Sequence, residues 1–219
     1  MLKKAKVLLF DFDGTLVDSM PTYGAVMLRI LDEYGISYGD DIIKIITPLG
    51  YIGTAEYFIG LGVNATVEEL TEKMRGYMID AYSNRIEAKE FVKEALISLK
   101  NAGYGLSVLT ASPHATLDPC LKRLGLWDIF TEVWSCNDFF TTKADPKIYE
   151  ACADKLGVAP EDIIFLDDNY NACLSAKKRG LSVIGVFDES SREYTEEMQA
   201  SFDGYIESFR ELPELLKKI

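Results

Sequence analysis

"KVLLFDFDGTLVDSMP" runs from Lys6 to Pro21, and the fold turns on how its first half ends. The apolar run that starts at Val7 and stops at Phe10 is continuous instead of alternating, as in a strand covered on both faces. It ends on Asp11 and Asp13, two carboxylates of one sign, with Gly14 and Thr15 directly behind them. Like charges this close repel unless something of opposite sign offsets them. What the rest of the chain brings to that strand end therefore decides what the protein is.

Outward from this stretch, similar short runs recur. The sequence predicts strands over Ala5–Phe10, Tyr104–Thr110, Thr131–Cys136, Asp162–Asp167 and Leu181–Phe187. Between them lie helical patterns over Ala88–Asn101, Ala115–Leu124, Pro146–Leu156 and Asn171–Arg179, each followed closely by a glycine (Gly103, Gly125, Gly157, Gly180), as expected just past a helix end. Alternating strands and helices imply an α/β fold, a doubly wound, Rossmann-like parallel sheet with helices on both faces. The stretch from Leu16 to Ile86 breaks the rhythm with patterns such as "PTYGAVMLRILDEYG" and "TVEELTEKMRGYMIDAYSN". It is expected to be a small helical cap domain inserted after the first strand, so that residues 1–15 and 87–219 form the core and 16–86 the cap. Ser190–Ile219 is expected to give a helix, a short edge strand at "DGYIES" and a closing helix from near Arg210.

Composition narrows the function. In 219 residues that are 48% hydrophobic, 23 Lys plus Arg face 35 Asp plus Glu, a formal net charge of -12 spread along the chain. This sign disfavours nucleic acid as a partner. It would also repel a small phosphorylated substrate unless a metal ion and a few lysines offset it locally. The four cysteines (Cys120, Cys136, Cys152, Cys173) are dispersed without a CxxC, which suits a reduced, intracellular protein. The first apolar run is too short for a signal-peptide core, and no segment approaches a membrane span. A cytoplasmic location and no membrane partner are expected; oligomeric state is left open.

In a doubly wound sheet, ligands bind beyond the carboxyl ends of the strands. The residues that follow the apolar runs are Asp11 and Asp13, then Thr110, Ala111 and Ser112, then Asp167 and Asp168, with Lys143 in the loop after the third strand. Oxygen ligands without Cys or His favour a hard ion such as Mg2+. Asp11 could then attack phosphorus, with the metal neutralising both anions, while Asp13, two residues on, exchanges protons with the leaving oxygen and with water.

"DFDGTLVDS", the run ending "LTAS", the lysine of "KADPKIY" and "IIFLDDN" together resemble the four successive motifs of the haloacid dehalogenase superfamily, over Val7 to about Val186. The resemblance implies Asp11 as nucleophile and Asp13 as general acid and base, its main-chain carbonyl also touching the metal. It implies Thr110 as a hydrogen-bonding partner of the phosphoryl oxygens and Lys143 as the stabiliser of their charge. Asp168 would ligate Mg2+ directly, and Asp167 would do so directly or through water. "DSMP" and the helical insertion are similar to the phosphoglycolate phosphatase-like branch. The implied activity is hydrolysis of a small phosphorylated metabolite.

The same residues admit rival explanations. A calcium loop opening at Asp11 fails, because its sixth position is Leu16 where glycine is needed and its twelfth is Thr22 where glutamate is needed. Lys147 lies close enough to Lys143 to compete for its role. His114 is expected in a loop above the site or on the surface, outside the catalytic set. A sugar phosphomutase of the β-phosphoglucomutase-like kind needs cationic groups on the cap, and "TPLGYIGTAEYFIG" offers none. A non-catalytic metal- or phosphate-binding regulator would be expected to have lost one of the six residues, and all are present.

Overall fold

The structure is a computed structural model that describes residues 7–217; Ala5 and Lys6 of the expected first strand and the last two residues of the expected closing helix lie outside that range. Six strands form one sheet: β1 (Val7–Phe10), β2 (Gly105–Thr110), β3 (Glu132–Ser135), β4 (Ile163–Asp167), β5 (Ser182–Val186) and β6 (Gly204–Ile206). Their order is β3-β2-β1-β4-β5-β6, and every pairing is parallel. Phe10 aligns with Val108 of β2 on one side and with Leu166 of β4 on the other. The chain winds outward from β1 in both directions, so the order reverses between β1 and β4, where a crevice opens at the strand ends.

Two compact units account for the chain: one holds the residues up to Asp18 and from Glu87 onward, the other Ser19–Ile86. The second unit consists of α1 (Met20–Glu33), α2 (Ile42–Ile46), α3 (Gly50–Gly60) and α4 (Val67–Asn84). Its apolar stripes recur at helical spacing, as Val26, Met27, Ile30 and Leu31 on α1 and Leu70, Met74, Met78 and Ala81 on α4. A capping box begins α4, with the Thr66 hydroxyl accepting from the Glu69 amide and the Glu69 carboxylate accepting from the Thr66 amide.

The sheet unit adds α5 (Val92–Asn101), α6 (His114–Arg123), α7 (Lys147–Leu156), α8 (Tyr170–Lys178), α9 (Thr195–Ser201) and α10 (Leu212–Lys217). Side chains alternate across a strand, so each strand feeds two cores. Val7, Leu9, Phe165 and Val183 pack in one cluster with Tyr149 and Cys152 of α7, Cys173 of α8 and Met198 of α9. Phe10 points the other way, where its ring meets those of Phe130 and Phe209 at 6.2 and 6.3 Å. This double burial is why the strands read as continuous apolar runs.

The expected helix from Ala88 starts four residues later, at Val92. Ala88 is instead paired with Val17 in an antiparallel bridge. Phe91, just ahead of the helix, takes a left-handed backbone with φ of 64°. The chain also keeps Leu16, Val17 and Asp18 with the sheet unit. The amides of Leu16 and Val17 donate back to the Phe12 carbonyl at 2.8 and 3.0 Å, and the Asp18 amide donates to Glu87 O at 3.0 Å. Near the C-terminus a 3-10 turn over Glu189–Tyr194 precedes α9, and the edge strand shortens to β6. Among the described residues no helix is long and apolar enough to cross a membrane.

Tyr149 ties one core to the loop before α7. Its fully buried hydroxyl lies 2.9 Å from Ala172 O and 3.1 Å from Lys143 O. Removing it strands buried carbonyls, which costs about 1–3 kcal/mol. Tyr149→Phe should therefore lower the unfolding free energy by that amount, seen as a lower urea midpoint with an unchanged m-value.

Candidate active site

Pairing continues one residue past β1, since the Asp11 amide donates to Leu166 O at 2.8 Å. That bond carries the Asp11 side chain to the crevice where β4 ends in Asp167 and Asp168. All three residues are buried, and each offers a carboxylate oxygen within 4.8 Å of the others. Lys143, from the loop before α7, inserts its ammonium among them, 2.8 Å from Asp11 Oδ1 and 2.7 Å from Asp167 Oδ2. Lys147 is exposed on the first turn of α7, and its amide donates to Asp145 Oδ1.

Three carboxylates face one ammonium, and the imbalance shows in their protonation. Burial, then the neighbouring Asp167, push Asp11 up to about 7 against the pull of Lys143. Burial, then Asp167 and Asp11, hold Asp168 well above the usual carboxylate range. For Lys143, burial opposes the charge, but Asp11 and Asp167 outweigh it and keep the ammonium firmly protonated. The cluster is short of positive charge.

Thr15 and Gly14 shape the same corner. The Thr15 hydroxyl donates to Asp168 Oδ1 at 2.9 Å and accepts from the Asp168 amide at 3.1 Å, so one buried side chain fixes both the backbone and the carboxylate. Gly14 has φ of +72°, and a Cβ placed on it would stand 2.6 Å from Asp168 Oδ2. The Asn169 amide, at the start of α8, donates to Asp167 Oδ1 at 2.7 Å.

Asp13 is half-buried and stands outside this trio, its Oδ2 accepting from the Ser112 hydroxyl at 2.6 Å. The Ser112 amide in turn donates to Thr110 Oγ1 at 3.0 Å, which links the ends of β1 and β2. The six residues singled out in the sequence thus meet along one sheet edge. Thr15 and Ser112 were not in that set, although both adjoin motif residues and a hydroxyl beside a buried carboxylate was the signal available. His114 lies at the start of α6 between two carboxylates, Nδ1 at 2.7 Å from Asp118 and Nε2 at 2.9 Å from Asp138.

A doubly wound sheet with a buried acid-and-lysine cluster at its switch point has the features of an enzyme site, and comparison with known proteins narrows the class. The haloacid dehalogenase-like hydrolase model matches residues 8–186. Pyrophosphatase PpaX of Bacillus velezensis is 30% identical over 187 residues, which cover 84% of each chain. Phosphoglycolate phosphatase of Haemophilus influenzae is 28% identical over 192 residues, covering 83% of this chain and 85% of its own. Among solved structures, CbbY from Rhodobacter sphaeroides in complex with phosphate superimposes with a TM-score of 0.77 at 21% identity, over 95% and 96% of the two chains. The chain belongs to the haloacid dehalogenase-like hydrolase family, and it is an enzyme of the phosphatase kind.

Two expectations follow from this geometry. Gly14→Ala must displace the Asp168 carboxylate, and misplacement by about 1 Å near reacting groups costs on the order of 100-fold; phosphatase turnover should fall by that much while the circular dichroism spectrum is retained. For His114, partial burial works against protonation, but Asp118 and Asp138 outweigh it and raise the pKa above the usual 6.5. A raised folded pKa means the stabilisation is complete below the unfolded value and is lost as pH rises through the folded one. Between about pH 5.5 and about 8.5, the parent should lose more of its thermal midpoint than His114→Asn does.

Proposed function

We infer that the protein is a Mg2+-dependent phosphomonoesterase of a small phosphorylated metabolite, working through an aspartyl phosphate on Asp11. The observation that carries this is the buried trio Asp11, Asp167 and Asp168 with the Lys143 ammonium 2.8 Å from Asp11. The residues fit a hard divalent cation. The trio is all oxygen, and the raised pKa values of Asp11 and Asp168 mark a deficit of positive charge. Asp11, Asp167 and Asp168 would hold the metal, with the Asp13 main-chain carbonyl as a further ligand. When bound, Mg2+ supplies charge neutralisation that lets a carboxylate and a phosphate approach each other.

Asp11, in its carboxylate form, attacks phosphorus; a bond forms from its carboxylate oxygen and the bond to the leaving oxygen breaks. Asp13 gives its proton to that oxygen, and the alcohol departs. Asp13, now a carboxylate, takes a proton from water as the water oxygen attacks the same phosphorus. The bond to Asp11 breaks, inorganic phosphate leaves and Asp13 is again protonated. Throughout, Lys143 and Thr110 stabilise charge on the phosphoryl oxygens, and Ser112 holds Asp13 toward them.

The substrate class rests on the relatives, whose names include phosphoglycolate phosphatase and a phosphorylated carbohydrates phosphatase. The helical unit, Ser19–Ile86, would serve as a cap that selects the leaving group. Four cysteines, all free and buried, support a cytoplasmic location.

Phosphate release from a panel of phosphorylated metabolites, with Mg2+ and with chelator, tests the assignment. Release should require Mg2+ and fall on the order of 1,000-fold or more in Asp11→Asn. Parental rates in Asp11→Asn would remove the nucleophile assignment, and isomerisation of a sugar phosphate without net phosphate release would indicate a mutase.

A further inference from the structure

Lys89 stands where the chain returns from the helical insertion, and its side chain belongs neither to the sheet nor to the acidic trio. Val17 forms one bridge with Asp13, parallel, and another with Ala88, antiparallel. The Gly14 amide donates to Val17 O at 3.0 Å, the Asp18 amide to Glu87 O at 3.0 Å and the Lys89 amide to Leu16 O at 3.0 Å. The loop that carries Asp13 is therefore one limb of a short ribbon, and residues 87–89 are the other. So short a pairing is marginal by itself.

The fastening comes from the Lys89 side chain. Its ammonium donates to Phe187 O at 2.7 Å and pairs with Asp188 Oδ2 at 2.8 Å, just beyond the end of β5. The two side chains are only 19% and 5% exposed. Asp188 is itself held, its Oδ1 accepting from the Ser190 amide at 3.0 Å and from the Ser190 hydroxyl at 2.6 Å. A desolvated ion pair gains little stability over apolar residues of the same size, and its best-attested use is to fix register.

We propose that Lys89 and Asp188 form a positioning clamp that pins the return limb of the ribbon to the end of β5 and, through Val17, sets where the Asp13 carboxylate stands. The clamp rests on Asp13 as the proton donor to the leaving oxygen. Neither Lys89 nor Asp188 touches substrate in this scheme. Loosening the clamp weakens proton transfer to the leaving group more than it weakens attack by Asp11, because Asp11 is held separately through Leu166 and Lys143.

Leaving-group dependence reads this directly, since a poor leaving group needs the proton and a good one does not. The measurement is kcat/KM, which reports the step in which the alcohol departs, for ring-substituted phenyl phosphates of similar size on the parent, Lys89→Met, Asp188→Asn, the double variant and Asp13→Asn. The expected result is a steeper dependence on leaving-group pKa in both single variants, with phenyl phosphate losing about 10-fold more than p-nitrophenyl phosphate. In the double variant it should be no steeper than in the steeper single. The slope is taken within one preparation, so a variant that is partly unfolded still gives it. Parental slopes in Lys89→Met and Asp188→Asn, beside a steepened slope in Asp13→Asn, would overturn the clamp. A parental slope in Asp13→Asn would overturn Asp13 as the proton donor and the clamp with it.

Discussion

Three buried carboxylates share the gap between β1 and β4, and most of the local architecture is a response to their repulsion. Coulomb's law makes such a group costly in a desolvated site unless positive charge and hydrogen-bond donors are supplied. Lys143 supplies the charge, and its loop is held by two buried or half-buried hydroxyls, Tyr149 on Lys143 O and Ser175 on Ala144 O. Thr15 and the Asn169 amide supply donors from the two neighbouring turns. Gly14 is glycine because the space a Cβ would fill is occupied by Asp168. The site is thus expensive to maintain, and its unbalanced negative charge is what a bound cation would offset.

Much of this was legible in the sequence because parallel strands buried on both faces leave an unmistakable pattern. β1 and β4 read as apolar runs and β2 and β5 as largely apolar ones, and the polar residues that follow β1, β2 and β4 fall at the edge where such folds bind ligands. Lys143 was harder, since a lysine in a loop carries no periodic signal. Only its ammonium, packed against Asp11 and Asp167, separates it from the exposed Lys147. Thr15 and Ser112 stood beside the motif residues without an assigned role, because a hydroxyl has many ordinary uses at strand ends and their partners lie 153 and 99 residues away.

The segment from Ala88 to Phe91 failed for a different reason. Its composition suits a helix, and local propensity was overridden by a bridge to Val17 and a left-handed Phe91. Both features depend on residues that meet only once the chain has returned from the insertion. The relatives carry names from pyrophosphatase to phosphoglycolate phosphatase, as expected where one fold hosts several substrates.

The bond between Thr15 and Asp168 spans 153 residues, and it sets an order of events on the ribosome. β1 emerges first yet occupies the middle of the sheet, so both of its edges remain open until β2 and then β4 are synthesised. Until β4 docks, Asp11 is solvated and bears no electrostatic cost. Docking desolvates all three carboxylates together, an unfavourable step that adds to the slowness expected of a parallel pairing of long sequence separation. A nascent chain truncated before residue 163 would hold only Asp11 of the three carboxylates and an apolar edge on β1, the state in which chaperone capture is most useful.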